Sequence, residues 1–278
     1  MHFTRAPSLS RLYARVLFAR KPGLVPEGHA VPRLEATLDG VRLDGPRLVQ
    51  YRALCGWRDA SVPLTWPHVL ASGLHLSMLS SPEFPVRLLG LVHLHNRIEQ
   101  RAPLNPAMAG SLVATLEGHR ETERGQEFEL HTQLRVGDAV PWVEVSTFLA
   151  RRARGGAKPK VVREPRPPAT KTVEFEAPAG LGRRYGRLAG DLNPIHVSDL
   201  TAKLFGFPRA IAHGMWSLAR CAAELDTARA CTLEAQFKLP LFLPSRPVLE
   251  ISGERFTLLD AQREKPHLTA TLTPAESP

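Results

Sequence analysis

The sequence predicts an α+β protein made of two tandem copies of one unit, in which an antiparallel sheet wraps around a central helix. In each half, a buried apolar helix is followed by runs of alternating or β-branched residues bounded by Gly, Pro or Asn, which are typical of antiparallel strands. The halves also share a Tyr, a Leu and a Gly at equal spacing, from Tyr51 to Gly56 and from Tyr185 to Gly190. This short match and the shared order of helix and strands together indicate a duplication.

The predicted elements can be placed along the chain from their periodicity and from the turn residues that bound them. In the first half we predict a strand over 34–43, a short helix over 48–56, a buried helix beginning near Pro67 and His68, and strands within 85–104, 111–121, 126–137 and 141–152. In the second half we predict a strand over 170–178, helices over 198–207 and 210–225, and strands over 231–240, 247–259 and 266–274.

Composition indicates a globular protein with most of its excess charge in one segment. The 278 residues are 43% hydrophobic, include 25 prolines and carry a formal charge of +9. Residues 151–171 hold eight Lys or Arg against the single acid Glu164, so we predict a basic, Pro-rich linker between domains at 1–150 and 172–278. This linker has no aromatic residue on which bases could stack, and we expect no nucleic-acid partner.

Cysteine usage and the N-terminal segment bear on the compartment. The spacing of Cys55, Cys221 and Cys231 matches no metal site, so we expect free thiols in a cytoplasmic protein. No apolar stretch approaches the length of a membrane span, and we expect no membrane association. The first 26 residues contain five Lys or Arg and no acid, with apolar residues at helical spacing. Two interpretations stay open there: a mitochondrial transit peptide or, as we expect, the first element of the fold.

The densest patch of residues suited to chemistry lies in the second half. Asp191 and His196 are five positions apart across a turn that Asn193 and Pro194 shape, and this turn can bring the two side chains together. The predicted helix start at Gly214 offers N–H groups to a carbonyl oxygen that gains negative charge. An acid, an imidazole and such a donor can move a proton beside a thioester and water at the next carbon. The alternative is an Asx-type turn that only caps a helix.

The first half lacks this combination. Trp57, Asp59 and Val62 occupy the positions, counted from Gly56, at which the second half carries its acid, its asparagine and its imidazole. We therefore predict a single active site, at the junction of the halves. The second half would supply its catalytic residues, and the apolar helix Val69–Leu79 of the first half would shape a tunnel for the substrate.

Other candidate residues have ordinary explanations. His93 and His95 share a strand face without a further ligand at metal spacing, so we predict no metal. Ser217 and Cys221 lack a nucleophile motif, and we interpret them as packed helix residues. Five basic residues near the motif are either solvated charges or contacts for a phosphate of coenzyme A or of a phosphopantetheine arm. They are Arg183, Arg184, Lys203, Arg209 and Arg220.

Three strings in the second half resemble the signature of the MaoC-like, or hydratase 2, branch of the hot dog fold proteins. They are GDLNPIH at 190–196, FGFPRAIAHGM at 205–215 and FKLP at 237–240. The first half, with PLTWPHVLASGLHL and LLGLVHLHNRI, is similar to the degenerate copy of the double members of that family. The resemblance implies a double hot dog fold whose two central helices face each other as in a dimer.

The resemblance also implies roles for individual residues. Asp191 and His196 would be the catalytic pair, Asn193 would help to shape their loop, and the Gly214 N–H would hold the thioester oxygen. One member of the pair would take the proton at C2 and the other would protonate the departing hydroxyl, in an order that stays open. Some relatives carry a serine near the acid on the central helix, and here only Ser217 offers a hydroxyl. Coenzyme A or phosphopantetheine would enter only as part of the substrate, with no separate cofactor.

The implied activity is the reversible hydration of trans-2-enoyl thioesters and dehydration of (R)-3-hydroxyacyl thioesters in fatty-acid or related acyl metabolism. The acyl group would be carried by coenzyme A or an acyl carrier protein. Alternatives on the same fold are a thioesterase or a hydratase of short branched dicarboxylyl thioesters. An alternative of another class is a non-catalytic protein that binds acyl thioesters or docks a carrier. The presence of the Asp/His pair in one half favours an enzyme, and a homodimer stays open.

Overall fold

The computed structural model describes residues 1–18, 20–152 and 166–275. The first half follows the predicted order, except that the strand expected over 111–121 is divided in two and a helix precedes the first long strand. Its elements are β1 (His2–Phe3), α1 (Leu9–Phe18), β2 (Leu34–Arg42), α2 (Pro46–Cys55), α3 (Trp66–Ser80), β3 (Leu91–Gln100), β4 (Ala109–Leu116), β5 (Arg120–Thr122), β6 (Gly125–Val136) and β7 (Ala139–Arg151).

The second half contains more helices than the sequence predicts. Its elements are β8 (Lys171–Glu174), α4 (Leu181–Ala189), α5 (Pro194–Val197), α6 (Asp199–Lys203), α7 (Gly214–Ala222), β9 (Cys231–Phe237), β10 (Val248–Ser252), β11 (Arg255–Leu259) and β12 (Pro266–Pro274). The central helix α7 is shorter than the predicted 210–225. Its expected first turn is extended instead, because Ile211 forms a β-bridge with Phe242 and the Ala212 N–H donates to Leu241 O at 2.8 Å.

Twelve strands of the described residues form one sheet that passes through both halves. The strand order is β1-β2-β4-β6-β7-β3-β9-β12-β11-β10-β8, with β5 paired to β6. The halves meet where β3 and β9 pair antiparallel, with Asn96 opposite Ala235 and Gln100 opposite Cys231. This backbone pairing fixes the position of one half relative to the other.

The match of Tyr51–Gly56 with Tyr185–Gly190 corresponds to a repeated local structure. Gly56 ends α2 and Gly190 ends α4, and both adopt the left-handed conformation that favours glycine, with φ of 77° and 79°. Each tyrosine then meets the residue that precedes the central helix of its own half: the Tyr51 hydroxyl donates to Thr65 Oγ1 at 2.8 Å, and the Tyr185 ring lies 4.9 Å from that of His213. The first-half counterpart of His213 is therefore Thr65, and not His68, which is the third residue of α3.

The helices pack with an approximate two-fold relation. Helix α2 contacts α4, while α3 of the first half contacts α4 and α7 of the second half contacts α2. Each central helix thus meets the short helix of the other half. The Trp216 Nε1–H on α7 donates to Leu54 O on α2 at 3.1 Å, so a partly buried hydrogen bond stabilises this contact.

A single hydrophobic core contains side chains of both halves, and a smaller cluster lies beneath α1. In the small cluster Leu12 and Val16 of α1 bury themselves against Leu76 of α3. Burying one such side chain contributes about 1.5–3 kcal/mol. The N-terminal segment is therefore part of the fold, as expected.

The predicted linker lies between two strands, β7 ending at Arg151 and β8 beginning at Lys171. Residues 153–165 of this linker, and the basic side chains among them, lie outside the described residues. None of the helices in the described part of the chain is long and apolar enough to cross a membrane.

Candidate active site

Two glycines of α4 hold the loop that carries Asp191 and His196. A Cβ atom at Gly182 would collide with the main-chain carbonyl oxygen of His196, and one at Gly186 with that of Asp191. The two glycines are four residues apart and so lie on one face of the helix. The loop backbone therefore packs directly on α4, at a distance that only glycine permits.

The turn between the two site residues is stabilised by its own asparagine. The Asn193 side chain accepts from the Ile195 N–H at 3.4 Å and caps α5, whose first residue is Pro194. His196 therefore lies within a short helix, whereas the sequence placed it in front of one. Ser198 caps the following helix, and its side chain accepts from the Thr201 N–H.

The Asp191 carboxylate has one oxygen engaged and one available. Its Oδ1 accepts from the Tyr13 hydroxyl at 2.8 Å and from the Asn193 N–H at 3.1 Å. Its Oδ2 lies 3.7 Å from His213 Nε2, and the side chain is 45% exposed. Burial alone would raise the pKa of Asp191, but the nearby rings of His213 and His196 and the hydrogen bonds from Tyr13 and Asn193 lower it below its usual value.

His196 is a buried neutral imidazole with a defined tautomer. Its Nδ1–H donates to Ile211 O at 2.7 Å, which leaves the Nε2 lone pair as the acceptor. Burial lowers the pKa of His196 below its usual value, and this outweighs the opposing attraction of Asp191. At neutral pH the ring is therefore ready to take a proton at Nε2.

His213 holds the other two site residues in place. Its ring stacks on that of His196, with centroids 3.7 Å apart, and its Nε2–H donates to the Asp191 main-chain oxygen at 3.0 Å. Burial and the neighbouring His196 lower the pKa of His213 to about 3, so the ring is neutral at neutral pH. The sequence placed His213 within the predicted helix over 210–225 and did not indicate its contact with Asp191.

Within the described residues, one group of side chains could supply three ligands to a metal: Asp191, His196 and His213. One ring nitrogen of each histidine and one carboxylate oxygen lie within 4.8 Å of one another. Lone pairs of two nearly parallel stacked rings do not converge well on one ion, so the arrangement suits proton transfer better. His93, the earlier metal candidate, lies between the rings of Phe148 and Phe237 and is not part of this group.

The start of α7 lies beside the pair, as predicted. A Cβ at Gly214 would lie 2.9 Å from the Phe237 ring, so glycine lets this ring pack over the helix start. The first N–H groups of a helix have no partner within it and are available to an oxygen. The thioester contact assigned to the Gly214 N–H stays a prediction.

The Ser217 hydroxyl and the Cys221 thiol, both near the site, form no hydrogen bond with Asp191 in the described residues. Ser217 Oγ donates to His213 O at 3.4 Å and does not contact Asp191. Cys221 is fully buried, and burial raises the pKa of its thiol, as expected for a packed residue. The hydrogen bond to Asp191 comes instead from Tyr13, 178 positions away, a contact that no short motif could indicate.

The five basic candidates differ in their surroundings. Arg220 stacks over Phe175 at 4.4 Å, and its Nη1 binds Glu224 at 2.9 Å, so it stabilises the core side of α7. The other four have exposed side chains on or beside α4 and α6: Arg183, Arg184, Lys203 and Arg209. These four remain candidates for a phosphate contact.

The corresponding loop of the first half is structural. Trp57 and Val62 are buried, and Asp59 accepts from the Ser61 N–H at 2.9 Å in a local turn. Nearby, His68 Nδ1 lies 2.9 Å from both oxygens of the fully buried Glu144 carboxylate. The sequence did not indicate this buried pair.

A cavity of about 810 Å³ lies elsewhere, in an open groove lined by the polar face of β9–β12. It contains Glu250, which pairs with Arg166 at 3.5 Å and Arg263 at 3.9 Å. The loop at 191–196 is the better candidate for chemistry.

The fold and the site define a hot dog protein with an acid–imidazole pair beside a helix start. Residues 158–255 match the family model of the MaoC like domain. The chain is 33% identical over 259 residues to 3-hydroxyacyl-thioester dehydratase X of Mycobacterium tuberculosis, covering 90% of this chain and 92% of that protein. It is 36% identical over 63 residues, 20% of each chain, to the peroxisomal enoyl-CoA hydratase 2 of Arabidopsis thaliana.

The crystal structure of HtdX from Mycobacterium tuberculosis matches with a TM-score of 0.76 and 30% identity, over 87% of this chain and 100% of that one. The chain therefore belongs to the MaoC-like dehydratase family. This confirms the resemblance seen in the sequence and the double hot dog fold that it implied.

Proposed function

We propose that this protein catalyses the reversible hydration of trans-2-enoyl thioesters and the dehydration of (R)-3-hydroxyacyl thioesters. The observation that carries the proposal is the distance of at most 4.8 Å between a carboxylate oxygen of Asp191 and a ring nitrogen of His196, beside the start of α7. The names of the relatives, a 3-hydroxyacyl-thioester dehydratase and an enoyl-CoA hydratase, support the same chemistry.

The spacing of the pair suits one water molecule. A water oxygen that makes hydrogen bonds of about 2.8 Å can bridge two groups at this separation. Asp191 Oδ2 would accept one hydrogen of the water and His196 Nε2 the other. Since the pKa values of both groups lie below their usual values, both start unprotonated at neutral pH.

In hydration, His196 Nε2 takes a proton from the water as the water oxygen bonds to C3 of the enoyl group. The electrons of the C2–C3 double bond move toward the thioester oxygen, which would accept a hydrogen bond from the Gly214 N–H. The imidazolium then gives its proton to C2 on the same face, and His196 returns to the neutral form. His196 thus makes both of the proton transfers that the resemblance divided between the pair, because Asp191 starts without a proton. Dehydration is the reverse, and Asp191 stabilises the imidazolium and orients the water throughout.

The rest of the substrate would extend away from this centre in two directions. We assign the acyl group to a tunnel along Val69–Leu79 of the first half, and the carrier to the exposed basic side chains on α4 and α6. Guanidinium and ammonium groups can bind a phosphate of coenzyme A or of a carrier-protein arm. The first domain, at 1–150, would line one side of the acyl tunnel. The second domain, at 172–278, would hold the catalytic residues, and residues 151–171 would link the two domains.

Two further proposals concern assembly and compartment. The described cysteines Cys55, Cys221 and Cys231 are all free and buried, which supports a reducing, cytoplasmic environment. A homodimer stays a prediction, to be tested by light scattering.

The test is the loss of enoyl absorbance when a trans-2-enoyl thioester of coenzyme A is hydrated. We expect Asp191→Asn and His196→Ala each to lower kcat by at least about a hundredfold. Asp59→Asn, in the corresponding loop of the first half, is the matched control and should keep full activity. A loss of less than this in both site variants would remove the pair from the mechanism.

Two readouts separate the alternatives in the same assay. Chiral analysis of the product tests the (R) configuration. Release of free coenzyme A thiol without loss of the double bond would identify a thioesterase, and binding of the thioester without turnover would identify a carrier or acyl-binding protein.

A further inference from the structure

Helix α1 is attached to the rest of the protein directly beside the candidate active site. Besides the packing of Leu12 and Val16 on Leu76, the Leu9 side chain lies against Gly190, where an added Cβ would be 2.7 Å from Leu9 Cδ1. Gly190 immediately precedes Asp191. The helix is therefore fixed at the residue next to the catalytic candidate.

The side chain that α1 presents to the site is Tyr13. Its hydroxyl donates to Asp191 Oδ1 at 2.8 Å and accepts from the Leu192 N–H at 2.8 Å. Burial and the adjacent Asp191 carboxylate raise the pKa of Tyr13 above its usual value, so the hydroxyl stays protonated and remains a donor. The Leu192 N–H thus donates to the Tyr13 hydroxyl, and the hydroxyl donates to Asp191, so the two hydrogen bonds run in one direction.

We propose that Tyr13 is a positioning residue for Asp191, an inference that rests on the proposed hydratase function. Tyr13, on the N-terminal helix, donates the hydroxyl hydrogen bond to Asp191. On the central helix the candidate hydroxyl is that of Ser217, which donates to His213 O instead. Together with the Asn193 N–H, Tyr13 occupies Oδ1 and leaves Oδ2 for the water between Asp191 and His196.

The contact also keeps Asp191 ionised. The nearby rings of His213 and His196 lower the pKa of Asp191, and the hydrogen bonds from Tyr13 and Asn193 lower it further, so all four favour the carboxylate over the acid. Removing the hydroxyl must then raise the pKa of Asp191. The enzyme would therefore begin to lose activity through protonation of Asp191 at a higher pH.

The variant that tests this is Tyr13→Phe, which removes one oxygen and keeps the ring on α1. We expect kcat to fall about tenfold with little change in KM, and the part of the acid limb that reports the ionisation of Asp191 to move up by about one pH unit. Tyr51→Phe is the matched control, because it removes a buried hydroxyl that binds Thr65 and does not contact Asp191. It should leave the position of the acid limb unchanged.

Two further measurements exclude a merely structural effect. In an Asp191→Ala background, Tyr13→Phe should cause no additional loss, since Asp191→Ala has already removed the acceptor of the Tyr13 hydroxyl. A uniform fall in rate at every pH, with the acid limb in place, would overturn the proposal.

A direct titration keeps this inference separate from the proposed function. The Asp191 carboxyl carbon can be followed by ¹³C NMR in the wild type and in Tyr13→Phe, and its pKa should be higher in the variant. If the wild type did not hydrate enoyl thioesters, the proposed function would fail while this titration still tested the contact. An unchanged pKa would overturn the role of Tyr13, whatever the activity.

Discussion

His213 stacks on His196 with 3.7 Å between ring centroids while its Nε2–H donates to the main-chain oxygen of Asp191. One neutral ring thus fixes both members of the proposed pair, the imidazole by its face and the acid by its backbone. The contact ties the residue before α7 to the loop that follows α4.

Replacing His213 by Phe should separate these two functions. The phenyl ring can still stack on His196, but the donor to Asp191 is lost, and an unpaired buried carbonyl costs about 1–3 kcal/mol. We expect kcat to fall at least about tenfold, with a smaller loss of stability than in His213→Ala, which also leaves a cavity. Steady-state kinetics and urea unfolding of both variants check this. Full activity in His213→Phe would show that the hydrogen bond is dispensable.

The pH dependence should show a single limb, on the acid side. Asp191 and His196 both have pKa values below their usual ones and are proposed to act unprotonated. Activity should therefore be constant around pH 7 to 8 and fall at acidic pH, where His196 and Asp191 take up protons, each below its usual pKa of about 6.5 and about 3.9. The measurement is kcat/KM between acidic and alkaline pH at constant ionic strength. A loss of activity as pH rises toward 8 would mean that His196 must start protonated.

A methyl group at Gly182 should displace the site loop. Its Cβ would collide with the His196 carbonyl oxygen, so Gly182→Ala must shift the backbone that carries His196. We expect about 1–3 kcal/mol of destabilisation and at least about tenfold lower kcat. Gly180→Ala is the matched control, because nothing lies within 4 Å of its Cβ and its φ is −80°. Equal activity in the two variants would contradict the close packing of the loop on α4.

The buried pair of His68 and Glu144 should stabilise the first half in a pH-dependent way. Burial would lower the pKa of His68, but Glu144 reverses this and raises it above the usual value. A raised pKa in the folded state gives stability that is fully present below the unfolded pKa of about 6.5 and is lost as pH rises through the folded pKa. Glu144→Gln should remove this slope and cost about 3–5 kcal/mol at pH 6.

Urea unfolding at pH 6 and at pH 9 measures both effects. The control is His2→Gln, which breaks an exposed pair with Asp39 whose side chains are 63% and 48% accessible. Its loss should stay within about 1 kcal/mol. A Glu144→Gln variant as stable as the control would show that the buried pair is neutral.

Local rules account for what the sequence predicted well. The two glycines that end α2 and α4 need positive φ, so the repeat is visible as matched glycines. Asp191 and His196 lie within one turn, and their proximity follows from the residues between them. The role of His213 depends on a fold-back over 22 positions, and that of Tyr13 on one over 178, which no periodicity encodes. The residues before α7 are extended because Ile211 pairs with Phe242. The sequence predicts a helix there, since its periodicity does not encode a pairing between such distant residues.

The contact between α1 and the site loop has a consequence for the order in which the protein is made. On the ribosome Tyr13 emerges long before Asp191, and it cannot form its hydrogen bond until more than half of the chain has been synthesised. Helix α1 can dock on α3 earlier, through Leu12, Val16 and Leu76, which all belong to the first half. The nascent first half thus carries in advance a part of an active site whose other residues have yet to be translated.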